Sequence, residues 1–360
     1  MKKRKISFAL QGGGSHGAFT WGVMEKLLEE DVLDIRGFCG TSAGAINSAI
    51  IVHGLQKNGN KGALDLLEKF WTEISKISTF ITPSWIDNNL FNGNMDFSPT
   101  YQAFNYFKEY LSPYQFNPLN INPLQDVLLK LIDFEKLKES NIKLFVSATN
   151  VKKGSCKVFC TTDISLNALL ASASLPYLYQ AVEVDGEYYW DGGYTGNPPI
   201  YPLIYGTDSK DILLVQLNPI WSKKIPKNMS NITDRVNEIT FNESLKAEMR
   251  MITRGYGIEG QIKDTYFHLI SSDSFIDDLD FSSKINTSWE FLNRLREQGR
   301  TAAEKWIKED LQFVGKKSSE SINKMFGYID EDWLHEMVHK PSKHLRECPM
   351  EINNEEVVCP

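Results

Sequence analysis

Ile35-Arg36-Gly37-Phe38-Cys39-Gly40-Thr41-Ser42-Ala43-Gly44 is the stretch on which the reading of the fold turns. Its first half suits a short strand over 35–39, which runs without a loop into a G-x-S-x-G sequence and then a helix to about residue 57. A strand that turns sharply into a helix at a serine exposes the hydroxyl, and a glycine two residues to either side permits the close backbone approach such a turn demands. The plainer alternative is a tight turn whose serine only caps the helix.

Outward from this elbow the pattern alternates. Upstream lie a strand at 5–10, the loop Gln11-Gly12-Gly13-Gly14-Ser15-His16-Gly17, and a helix from about 16 to 30 with Phe19, Val23, Met24, Leu27 and Leu28 at helical spacing. Downstream, helical patterns cover 61–78 and 122–139, and apolar strands fall at 141–149, 156–160, 211–217 and 265–271. Residues 182–189 read as a hairpin turning at Asp185-Gly186 and leading into Trp190-Asp191-Gly192-Gly193. Strands alternating with helices imply an α/β fold around a largely parallel sheet.

The glycine loop frees the backbone to aim several N–H groups at one point, with the positive end of a helix behind them. That geometry serves either a nucleotide phosphate or the oxyanion of an ester's tetrahedral intermediate. The Gly-Lys-Ser/Thr ending of a phosphate-binding loop is absent. Gly12-x-Gly14-x-x-Gly17 fits a dinucleotide fingerprint in spacing, yet the second strand ends in Cys39 and the Ser42 elbow where that fingerprint needs an acid. The oxyanion reading is therefore preferred. Asp191-Gly192-Gly193 by itself is an ordinary turn sequence.

Composition narrows the function classes. The 360 residues are 42% hydrophobic and 24% charged, ample for a large buried core. A formal charge of −7 argues against a nucleic-acid partner, since phosphate-backbone binding needs clustered Lys and Arg. Five cysteines, Cys39, Cys156, Cys160, Cys348 and Cys359, are an odd and sparse set that fits a reducing compartment. None has partners at metal-site spacing, so neither a metal nor a cofactor is expected. After the basic start the apolar run extends only from Ile6 to Leu10, too short for a signal peptide, and no run of about 18 apolar residues exists. The expected location is the cytoplasm or a membrane periphery, with export by an unrecognised route left open.

In this order, the glycine loop, the serine elbow and the Asp-Gly-Gly resemble the patatin-like phospholipase family. Ala168-Leu169-Leu170-Ala171-Ser172-Ala173-Ser174-Leu175-Pro176 is similar to the small-residue helix ending in proline that precedes the family's Asp-Gly-Gly hairpin. The resemblance runs from about residue 5 to about 218. It implies a three-layer patatin-like fold with a central, mostly parallel sheet, and a Ser-Asp dyad without histidine. By motif, Ser42 is the nucleophile, Asp191 the base and the amides of Gly12, Gly13 and Gly14 the oxyanion donors, with Gly17, Gly40, Gly44, Gly192 and Gly193 as supporting positions. The implied activity is a serine lipid acyl hydrolase of phospholipase A or lysophospholipase type, acting on phospholipid or lysophospholipid with transient membrane-surface contact. An acyltransferase or thioesterase on the same dyad, and a non-catalytic lipid- or nucleotide-binding module, are the alternatives. Many family members carry a basic residue where this chain has His16.

The dyad has its own rationale, because a serine hydroxyl needs a neighbouring base and a desolvated aspartate gains basicity. Competing bases are the histidines His16, His53, His268, His335, His339 and His344, of which His268 could complete a triad with Asp191. The expected organisation is a catalytic core over 1–218 with an aromatic-rich insertion at about 80–120, a helical remainder with one further strand over 219–314, and a polar tail over 315–360 containing a possible helix near 331–340. A mainly helical C-terminal appendage is expected, and the last forty or so residues, from Gly315, are the stretch that looks like one. The insertion's aromatics, among them Trp85, Phe97, Tyr106 and Tyr114, either form a lid or acyl-chain channel or simply cover the sheet.

Overall fold

Strand β1 (Arg4–Leu10) sends Ile6, Phe8 and Leu10 to one face and Ser7 and Ala9 to the other, and both faces are buried. A strand covered on both sides needs apolar residues at nearly every position, which is why the central strands read as continuous runs. The computed structural model describes residues 3–77, 83–220, 225–227, 229–253, 264–272, 275–276 and 279–319, with positions 322 and 326. The anticipated helix near 331–340 lies outside them.

After β1 come helix α1 (Gly17–Glu30), strand β2 (Leu33–Thr41) and helix α2 (Ala43–Lys76), which bends at Asn58 and Gly59, where Gly59 has φ 56°. The expected pair of helices is thus one element with a glycine break. The insertion contributes α3 (Trp85–Asn89), α4 (Pro99–Tyr110) and α5 (Pro113–Phe116). The helix expected over 122–139 is two, α6 (Pro123–Leu131) and α7 (Phe134–Lys138), because Ile132 turns extended and the Asp133 side chain accepts from the Lys136 amide to start a new helix. Strands β3 (Lys143–Asn150) and β4 (Ser155–Cys160), helix α8 (Leu166–Ser172), and the hairpin β5 (Val182–Val184) and β6 (Glu187–Asp191) follow. Asp185 and Gly186 both have positive φ, as the hairpin turn requires. Then come α9 (Tyr201–Gly206), β7 (Asp211–Gln216), α10 (Met229–Thr253), β8 (Tyr266–Ser271) and α11 (Trp289–Glu309).

The eight strands among the described residues join one sheet in the order β5-β6-β3-β2-β1-β7-β8, with β4 also on β3. β3, β2, β1, β7 and β8 run parallel, while β4 and β6 are antiparallel to β3. One layer of helices, including α1, α2, α8 and α11, covers the face of Phe8 and Phe38, and α9 and α10 cover the face of Ala9 and Cys39. The result is a three-layer α/β fold with a helical C-terminal part. Among the described residues no helix is long and apolar enough to cross a membrane.

The pairing on β3 positions the site. β2 pairs with residues 143–147 of β3 and ends at Thr41 opposite Ser147, whereas β6 pairs with 148–150 and ends at Asp191 opposite Ala148. Since β4 spans 145–150, it takes the other edge, and β2 and β6 share one edge end to end. Asp191 therefore arrives where β2 breaks off.

Helices α1 and α11 meet through two glycines. A Cβ at Gly22 would lie 1.9 Å from the Arg296 carbonyl oxygen, and one at Gly299 would lie 2.0 Å from the Phe19 carbonyl oxygen. Arg296 then reaches Glu25 and stacks its guanidinium 4.6 Å from the Trp21 ring. Backbone cannot yield as a side chain can, so Gly22→Ala or Gly299→Ala is expected to destabilise the protein by about 1–3 kcal/mol despite the better helix propensity of alanine. Urea unfolding of each variant checks this; a midpoint at or above that of the wild type would refute the close contact.

Candidate active site

Ser42 has φ 52° and ψ −123°, a strained conformation for a residue with a side chain, held between the end of β2 and the start of α2. Two contacts impose it. Gly44 lies so close to β1 that a Cβ would sit 2.1 Å from the Leu10 carbonyl oxygen. The Ser42 amide donates to the hydroxyl of Ser172, at the end of α8, at 2.9 Å. Below the elbow, Thr41 Oγ1 lies 2.5 Å from Ser147 Oγ and donates to the Gly196 carbonyl at 2.7 Å. Ser42 itself is partly exposed.

Asp191 is 1% exposed at the end of β6. Its amide donates to the Ser174 carbonyl at 2.8 Å, and its Oδ1 accepts from the Gly193 amide at 2.8 Å. Burial pushes its carboxyl up to about 7; the Gly193 amide, the neighbouring Ser42 hydroxyl and the positive charge of Lys284 oppose that rise. The structure thus brings together the two residues that the motifs singled out, 149 positions apart in the chain.

The glycine loop lies against the elbow, since a Cβ on Gly12 would be 2.8 Å from Ser42 Cβ. The Gly12 amide donates to Asn197 Oδ1 at 2.7 Å. For the amides of Gly13 and Gly14 no acceptor occurs among the described residues. The loop is held from behind by Gln11, whose Oε1 accepts from the amides of Leu217 and Asn218 at 2.8 and 2.9 Å. At Gly17, Gly40, Gly192 and Gly193 a Cβ would come within 1.8 to 2.7 Å of a neighbouring atom. These are packing positions for the loops that carry the serine and the aspartate.

The three described histidines stand elsewhere. His268 Nε2 is 2.9 Å from Asp211 Oδ1, on β8 at the far edge of the sheet from β6. His16 is buried with Nε2 2.7 Å from Ser283 Oγ, and His53 Nε2 accepts from the Asp133 amide. None of these three therefore forms a triad with Asp191. His335, His339 and His344 lie outside the described residues.

Sequence reading missed Ser172, Asn197, Asn218 and Lys284. Ser172 sits in the small-residue stretch before the hairpin and Asn197 stands before two prolines just after the Asp-Gly-Gly, so a signal existed; Lys284, one of 39 Lys and Arg, had none.

A buried carboxylate with a raised pKa costs stability wherever it is ionised in the unfolded chain, a cost that grows from about pH 4 and is complete above about pH 7. Asp191→Asn keeps the acceptor for the Gly193 amide and removes the charge. It should raise the melting temperature at pH 8 and leave it unchanged near pH 4, as thermal denaturation at the two pH values would show. Equal melting temperatures at pH 8 would mean that the carboxylate is not desolvated.

Comparison with known proteins follows the same outline. Residues 8–204, more than half of the chain, match the family described as patatin-like phospholipase. Similar solved structures include VipD from Legionella pneumophila, at 14% identity and a TM-score of 0.39, covering 85% of this chain and 67% of that one. ExoU in its heterodimeric complex with SpcU, from the type III secretion system of Pseudomonas aeruginosa, is 16% identical with a TM-score of 0.36, covering 86% of this chain and 52% of that one. This chain thus spans about half the length of the ExoU chain. No curated protein matches the sequence. The family match over residues 8–204 shows that the chain belongs to the patatin-like phospholipase family, a family of lipid ester hydrolases.

Proposed function

We propose that this family member is a serine lipid acyl hydrolase of phospholipase A or lysophospholipase type, with Ser42 as nucleophile, Asp191 as base and the Gly13 and Gly14 amides as oxyanion donors. Gly12, whose amide is engaged by Asn197, holds the loop against the elbow. The observation that carries the reading is the buried, basic carboxylate of Asp191 at the break in the β3 edge, beside a strained and accessible Ser42. Supporting it, the glycine loop packs against the elbow at Gly12, and the Gly13 and Gly14 amides have no acceptor among the described residues.

The chemistry balances with these groups. Ser42 Oγ bonds to the acyl carbon while its proton passes to Asp191, and the carbonyl electrons move onto the oxygen facing the loop amides. Collapse expels the alcohol part of the lipid, which takes the proton from Asp191. Water then attacks the acyl-enzyme, gives its proton to Asp191, and Ser42 recovers it as the fatty acid leaves. Exposed aromatics of the insertion, Phe97, Tyr106, Tyr110 and Tyr114, suit contact with acyl chains or a membrane surface.

Fatty-acid release from phospholipid and lysophospholipid vesicles, with fluorophosphonate labelling of Ser42, tests the reading. Ser42→Ala and Asp191→Asn should each lower turnover by about 1000-fold or more, and the double variant should be little worse, because the two groups act as a unit. Since Asp191 must be ionised to accept the proton, kcat/KM should fall on the acid side with an apparent pKa near 7. Retention of more than about a tenth of the activity in Ser42→Ala would remove the nucleophile assignment. Product analysis with an added alcohol or lysolipid acceptor separates hydrolysis from acyl transfer.

A further inference from the structure

Lys284 lies in the 3-10 turn Phe281–Ile285, some 270 residues beyond the glycine loop in sequence yet touching it in two ways. Its own carbonyl faces Gly14, where a Cβ would sit 2.3 Å from the Lys284 oxygen and where φ is +58°. Its side chain turns back to donate from Nζ to Asn218 Oδ1 at 2.8 Å. The Asn218 amide in turn donates to the Gly12 carbonyl at 2.7 Å and to Gln11 Oε1 at 3.3 Å. Lys284 thereby also settles which way the Asn218 amide faces, since the ammonium can meet only the oxygen.

The Gly12 carbonyl belongs to the same planar peptide unit as the Gly13 N–H, and in a trans peptide the two point in opposite directions. Pinning the carbonyl aims the Gly13 N–H away from Asn218, and no acceptor for it occurs among the described residues. Hydrogen bonds in such a chain polarise one another, most strongly when one end carries a charge. The cation that charges this chain is the lysine. His16 borders the loop but is buried, and burial together with the Lys284 charge drives its pKa well below the ordinary value, so it is neutral at pH 7.

We propose that Lys284 is the positioning cation of the oxyanion loop, acting through Asn218 and the Gly12–Gly13 peptide to orient and polarise the Gly13 N–H toward the ester oxyanion. This rests on the Ser42–Asp191 reading above and deepens it. Burial lowers the Lys284 pKa from its ordinary value, while Glu238 and Asp234 of α10, with Asp191, oppose that shift and favour the ammonium; the Phe281 ring lies 5.2 Å from Nζ. Toward Asp191 the facing groups are Lys284, Ser42, the Gly193 amide and Tyr194, and the lysine charge favours the ionised carboxylate.

Lys284→Met, Lys284→Arg and Asn218→Ala test the relay on the full chain, with activity expressed per fluorophosphonate-titrated site so that misfolded protein does not count. Lys284→Met should lower kcat for a fluorogenic ester by roughly 10- to 100-fold with KM changed less than about threefold, because the Gly13 donor acts on charge present only in the transition state. Its acidic limb should move to higher pH, since the group that favours ionised Asp191 has gone. Lys284→Arg should recover at least part of kcat and return the limb. Asn218→Ala combined with Lys284→Met should be little worse than either alone, as members of one chain are non-additive. A kcat per titrated site within twofold of the wild type in Lys284→Met, an unmoved acidic limb, or fully additive losses would each overturn the relay. Failure of the underlying reading looks different: the wild type then takes no label, or keeps its activity in Ser42→Ala.

Discussion

Everything at the site depends on how one edge of β3 is shared. β2 occupies that edge through Thr41 opposite Ser147, and β6 takes it over with Asp191 opposite Ala148. The parallel strand leaves the sheet as the serine elbow at the point where the antiparallel strand delivers the aspartate. Because side chains on a strand alternate faces, a slip of one residue in the β3–β6 ladder would turn Asp191 to the other side. The register is pinned by bonds outside the ladders: Thr41 and Ser147 to the Gly196 carbonyl, Thr149 Oγ1 to the Asp191 carbonyl, and the Asp191 amide to Ser174.

That placement sets the electrostatics. Asp191 is buried with one backbone donor on its carboxylate, the Gly193 amide, so the charged form is poorly compensated and its basicity rises. A carboxylate surrounded by several donors would be more stable and a weaker base. Phe241 of α10 packs against Gly193, where a Cβ would lie 1.8 Å from the ring. Stability and proton affinity are traded against each other at this one side chain.

The helical C-terminal part takes part in building the site although the family match ends at residue 204. β8 extends the sheet beyond β7, α11 packs on α1 directly after the glycine loop, and the turn Phe281–Ile285 presses on Gly14. The same segment anchors the aromatic insertion. Met95 donates its amide to Ser282 Oγ, and Asn286 donates to Asn88 Oδ1 and to the Gly93 carbonyl. Of the insertion's residues, Met95 and Tyr101 form a small buried cluster with Phe104 and Ile285 against them, while Phe97 and Tyr110 face solvent. Covering and presenting aromatic surface are thus divided among different residues of one segment.

The sequence by itself determined the α/β class, the elbow at Ser42, the glycine loop and the Asp185-Gly186 hairpin, because each follows from local steric rules that act over a few residues: period-2 and helical spacing, glycine at close approaches, positive φ in a tight hairpin turn. It could also suggest Asp191, though only through its order among the other motifs. Tertiary structure alone decided that Asp191 meets Ser42, that His268 serves Asp211 at the opposite edge, that the Gly12 amide is taken by Asn197, and that Lys284 stands behind the loop. Those outcomes depend on strand register and on which distant segments share a small polar volume. A lysine in a short turn carries no periodicity that distinguishes it from the solvated lysines around it; its role arises only when folding partly buries it and sets its Nζ on Asn218.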